Sequence, residues 1–131
     1  MAIAYNGRIG AAILSEGKDF EYIWDATVLE QEYLVAIKGG KNTAEALEFM
    51  AHASTAQALA DQAKWIPYGP MRKSSIDIIK KGEPWFNTGI DIMPHMPTSP
   101  KVLKRAVIAD PVWWADNGAE VNERFGAWKG S

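Results

Sequence analysis

An α/β fold with a small mixed sheet, flanking helices and a mostly helical C-terminal half is what this chain predicts. Three observations carry that expectation. Runs suited to strands, either apolar throughout or alternating, fall within the first 37 residues. From Asn42 onward, apolar residues recur at i, i+3, i+4 and i+7, the spacing of one helical face. Between Glu83 and Pro100 four prolines mark an irregular excursion over the surface.

Taken in order, Ala2–Tyr5 reads as a short strand and Gly7–Ser15 as a short helix that Gly17 ends. Phe20, Tyr22 and Trp24 alternate as in a half-buried strand, and Asp25–Gln31 is a connection. Tyr33–Ile37 is apolar on both faces, so it reads as a central strand closed by Gly39-Gly40. Asn42, three before Glu45, gives a capping-box-like start to a helix carrying Ala46, Phe49, Met50 and Ala53 on one face. Ser54 with Gln57 suggests a second cap, and Ala56, Leu59, Ala60 and Ala63 repeat the stripe. Pro67-Tyr68-Gly69-Pro70 must break that helix, because proline removes a backbone donor and fixes φ. Short helices are expected over Ser74–Lys81 and Lys101–Val107. Asp110-Pro111 then caps a last helix with Trp114, Gly118, Val121, Phe125 and Trp128 on one face. About three strands must receive all these apolar helical faces, an imbalance that implies a missing piece.

Composition narrows the function. The chain has 131 residues, enough for one ordinary domain or part of a larger one. Its net charge of −2 gives no electrostatic footprint for nucleic acid. With no cysteine, disulfides, thiolate catalysis and cysteine metal sites are excluded. Met1 leads directly into a strand-like run, with neither the basic n-region nor the apolar h-region of a signal peptide, so none is expected in this chain.

Catalytic and metal chemistry find little footing, and no catalytic residue, metal site or cofactor is expected. His52 sits on the flank of a helical stripe. His95 lies among Met and Pro residues, with no carboxylate or histidine at metal-ligand spacing. Glu30 and Glu32 are two apart and would share a strand face, where paired carboxylates can do acid–base work; a solvated strand edge is the preferred account of them. Gly39-Gly40-Lys41-Asn42 before a helix resembles an anion-binding start, and a turn with a cap explains it fully.

Binding a small polar ligand needs less: aromatic walls and a few placed polar groups. The candidates cluster at element ends: Tyr5, Asn6, Gly7, Arg8, Trp24, Asp25, Glu32, Tyr33 and Tyr68. Arg8 offers a planar fork of donors suited to a carboxylate, and Gly7 lets the backbone approach a ligand closely. Core packing for Tyr5 and Trp24, a solvated first turn for Arg8 and turn packing for Tyr68 remain open beside those roles.

These segments add up to a resemblance. "AYNGR…AAILSEG", then "FEYIWDATVLEQEYLVAIKGGKNTAEALEFMAHASTAQALADQAKWIPYGPMRK", then "PTSP" and "DPVWWADNGAEVNERFGAW" are similar to the C-terminal part of bacterial extracellular solute-binding proteins. The type resembled is the polyamine-binding (spermidine/putrescine) one. No single motif is specific; the order and spacing over nearly the whole chain carry the likeness. Three positions depart from the family pattern. Tyr5 replaces a common tryptophan, Met71 follows Gly-Pro where a polar residue is frequent, and Asp25 follows Trp24 where Pro or Asn is usual.

The resemblance implies part of a two-lobed periplasmic-binding-protein fold of type II, with residues 1–19 and about 70–131 in one lobe and about 20–66 in the other. It implies a non-enzymatic, periplasmic parent that delivers a small amine- or carboxylate-bearing solute to an ABC transporter permease in the membrane. The parent's N-terminal lobe would then be missing here, and the surface it leaves bare would favour self-association or a domain-swapped dimer. A small stand-alone α/β interaction protein, with its tryptophans forming a partner surface, is the alternative from another class.

Overall fold

The computed structural model describes all residues, Met1–Ser131. The core is drawn from four stretches of chain. Helix α1 (Asn6–Glu16) contributes Leu14, α3 (Ala56–Ala63) contributes Ala60 and Ala63, and α4 (Lys73–Ile79) contributes Ile76 and Ile79. The fourth is the proline-rich stretch after α4, which delivers Trp85, Ile92 and Met96. That corrects the expected surface excursion. Pro84 bridges to Asp91, and the Trp85 N–H donates to the Ile90 carbonyl at 2.7 Å, so the chain doubles back and points its apolar side chains inward. The Trp85 indole N–H donates to Ser15 Oγ on α1 at 2.8 Å, satisfying the polar atom of the largest buried side chain.

Local signals explain where the helices start and stop. Gly17 ends α1 in the left-handed region, φ 63°. Helix α2 (Thr43–Ala53) begins as expected, but the Asn42 side chain makes no capping bond; Thr43 Oγ1 instead donates to the Gly40 carbonyl. The cap of α3 is Thr55, whose hydroxyl accepts from the Ala58 N–H, rather than Ser54. A 3-10 turn covers Met93–His95, and α5 is a single turn, Pro100–Leu103, shorter than expected. Asp110 accepts from the N–H groups of Val112 and Trp113 and opens α6 (Pro111–Lys129).

The sheet differs from the expectation. It holds two parallel strands, β1 (Val28–Leu29) and β2 (Val107–Ile108), in register Val28 with Val107 and Leu29 with Ile108. One lies in the segment read as a connection and the other begins at Val107, the last residue of the segment read as helical. None of the three expected strands, Ala2–Tyr5, Phe20–Trp24 and Tyr33–Ile37, forms a ladder. The reason is pairing: a strand exists only when its N–H and C=O groups meet a neighbour. Tyr33–Ile37 has none, and Val35 and Ile37 stand 75% and 78% exposed. Helix α2 buries no residue and α6 buries only Gly118. Their apolar faces, with Phe49, Trp113, Phe125 and Trp128, remain open.

Candidate ligand-binding site

The junction at the start of α1 is both a structural knot and an open polar face. Tyr5 stands at the N-cap with extended backbone and no side-chain capping bond. The Asn6 side chain turns inward and donates to the Pro67 carbonyl at 2.6 Å. Gly7 is buried, and a Cβ there would overlap the ring of Tyr68. A Cβ on Gly10 would overlap Pro67 and come within 2.9 Å of the Tyr22 hydroxyl. Glycine is therefore required at both positions for the 66–68 turn to seat against α1. Tyr5 and Arg8 point the other way. Both are exposed, and the Arg8 guanidinium lies 6.0 Å from the centre of the Tyr5 ring, a cation–π contact at the edge of its range.

Five of the nine candidates thus come together: Tyr5, Asn6, Gly7, Arg8 and Tyr68. Of these, Asn6 and Gly7 are spent on packing and hydrogen bonding, while Tyr5 and Arg8 are free to meet a ligand. Trp24 is half-buried and stacks on Tyr22, with ring centroids 4.4 Å apart and planes 18° from parallel. Tyr22 reaches back to the knot, its hydroxyl donating weakly to the Asn6 carbonyl at 3.4 Å. Burial pushes the Tyr22 phenol up to about 12, so it stays a neutral donor. Asp25 forms an ion pair with Arg105. Glu32 and Tyr33 lie exposed on the unpaired 31–37 segment, with the Tyr33 hydroxyl bonded to Gln31. Because no strand forms there, Glu30 and Glu32 have no common strand face.

The model of the family described as bacterial extracellular solute-binding protein matches residues 1–94. The chain belongs to that family.

A curated relative in Pseudomonas aeruginosa, a gamma-aminobutyric acid-binding protein, is 35% identical over 128 residues. The match covers 98% of this chain and 34% of the relative, so the chain spans about a third of that protein's length. That family is one of non-enzymatic binding proteins. No cluster of three or more His, Cys, Asp or Glu side chains is arranged to hold a metal. No helix is long and apolar enough to cross a membrane.

Sequence reasoning missed Tyr22, Lys101 and Arg105 as residues of this solute-binding protein's polar surface. The Tyr22 signal was present in the Tyr-x-Trp alternation, which puts both rings on one side. Arg105 and Lys101 carried no signal, because their relation to the 21–25 segment is purely tertiary.

Proposed function

We propose that this chain is part of the substrate-binding component of an ABC importer, and that its solute is a small ω-amino acid or similar compound with a carboxylate at one end and an amine at the other. The single observation that carries the solute class is the 35% identity, over nearly the whole chain, to a gamma-aminobutyric acid-binding protein. The free Arg8 and Tyr5 agree with it. An arginine beside a ligand ammonium is repelled by about 4 kcal/mol at ~4 Å with an effective dielectric near ~20. The same guanidinium holds a carboxylate through charge-assisted bonds worth about 1.5–3 kcal/mol. A polyamine of the spermidine or putrescine kind would meet the first term and lack the second. Asp25 is engaged by Arg105, which leaves Glu32 as the partner for the solute amine, with Tyr33 and Tyr68 as aromatic walls.

In this reading the receptor is periplasmic. Residues 1–19 and about 70–131 belong to one lobe and about 20–66 to the other, and the remaining length is an N-terminal lobe that supplies the facing wall. The membrane permease receives the loaded receptor. A ligand held between two walls binds weakly or not at all to one of them, so the test uses the full-length receptor. Calorimetric titration should show γ-aminobutyric acid binding in preference to putrescine and spermidine. Arg8→Ala should weaken γ-aminobutyric acid by roughly ten- to a hundredfold, the equivalent of about 1.5–3 kcal/mol. Tight polyamine binding that survives Arg8→Ala would replace this reading with the polyamine one.

A further inference from the structure

A pocket of about 330 Å3 opens between the 21–25 segment and the end of α5, at the lower limit of small-molecule sites. Its two walls differ in charge. One carries the stacked rings of Tyr22 and Trp24, flanked by Glu21 and Asp25. The other carries Lys101 and Arg105, with the buried Val102 between them. The Asp25–Arg105 ion pair ties the walls together. It consumes one anion and one cation, and leaves one of each. Lys101 and Glu21 take part in none of the molecule's ion pairs.

We propose that this pocket binds a small amino acid zwitterion, with its carboxylate on Lys101 and the outer edge of Arg105 and its ammonium on Glu21 and the face of Trp24. Charge selects that class. A simple carboxylate would satisfy Lys101 but face Glu21 and Asp25; a simple amine would satisfy Glu21 but face Lys101 and Arg105. A zwitterion meets an opposite charge at each end through charge-assisted hydrogen bonds, and its methylene body lies against Tyr22 and Trp24. The pocket shares no free group with the Tyr5–Arg8 face. It is a second site, whichever solute the Tyr5–Arg8 face takes.

The 131-residue chain itself is the material for the test, titrated with γ-aminobutyric acid, butyrate and butylamine while backbone and indole amide resonances are followed. Saturable shifts at the Trp24 indole and around Lys101 are expected with γ-aminobutyric acid, with butyrate and butylamine at least about tenfold weaker. Lys101→Met, an exposed change, should weaken γ-aminobutyric acid about tenfold or more with the rest of the spectrum unmoved. Lys81→Met, on the surface beyond α4, should leave it unchanged. Absence of saturation at Trp24, equal binding of the three probes, or indifference to Lys101→Met would each overturn the proposal. None of those outcomes bears on the importer reading, which stands or falls on Arg8→Ala in the full-length receptor.

Discussion

His95 shows how one buried side chain can set the pH range of the fold. The ring is half-buried against the edge of Tyr22, at 5.6 Å between centroids, and its Nδ1 is buried without a hydrogen-bond partner. Burial lowers its pKa below the ordinary 6.5, and the nearby Asp91 carboxylate opposes the shift only in part. A histidine held neutral by the fold binds its proton more readily when unfolded, so stability is intact above the unfolded value and is lost as pH falls through and below it. Urea unfolding at about pH 7.5 and about pH 5 should show the loss, straddling the ordinary histidine value. His95→Gln should make the two midpoints more alike. A wild-type midpoint unchanged between the two pH values would contradict this account. The same residue was read from the sequence only as a poor metal ligand, since nothing local to Met-Pro-His-Met announces that Tyr22, more than seventy positions earlier, covers it.

At the scale of elements, the 83–99 stretch is the clearest case of tertiary context overriding a local reading. Three prolines and a glycine read as a surface loop, and proline does forbid regular structure there. Irregular backbone can still bury side chains when its polar groups are satisfied, as the Trp85–Ile90 and Phe86–Lys64 backbone bonds show. Trp85 is the anchor, packed among α1, α3 and α4 and bonded to Ser15. Trp85→Ala should therefore cost about 3–5 kcal/mol, the range for removing a buried large aromatic, read from urea or thermal unfolding. A change below about 1 kcal/mol would mean the site is far less packed than its burial indicates. Beside it, Lys64 bridges Asp61 at 2.9 Å and Glu83 at 2.7 Å and pins the end of α3 to the start of the stretch. Each carboxylate raises the Lys64 pKa, so the pin persists across the neutral range.

For the molecule as a whole, the balance between buried and open apolar surface is unusual. Only 16 of 131 residues are buried, while Leu34, Val35, Ile37, Phe49, Trp113, Phe125 and Trp128 are among the large apolar side chains exposed. Exposed large apolar side chains in this number favour a partner, and the unpaired 31–37 segment offers free backbone donors and acceptors as well. We expect the 131-residue chain to self-associate, with domain swapping as a low-cost route. Sedimentation velocity across the micromolar range should show a concentration-dependent mass. A sharp monomer at every concentration would remove this expectation and the account of the open faces as surfaces that await another part of the receptor.

The sequence by itself determined where several of the helices begin and end and that the segments belong to a solute-binding family. The Asp110-Pro111 start of α6, the Gly17 stop of α1 and the break between α2 and α3 depend on groups within six residues of one another, so local chemistry suffices. The order of those segments was enough to reach a solute-binding protein, and it singled out the Tyr5–Arg8 junction. Tertiary structure alone decided which short runs paired, that the proline-rich stretch entered the core, and that Asp25 met Arg105. Each of those depends on a partner remote in sequence: Asn6 with Pro67 across 61 positions, Trp85 with Ser15 across 70. A strand or a buried side chain is stabilised by what lies against it, and periodicity can state that a partner is needed but cannot name it.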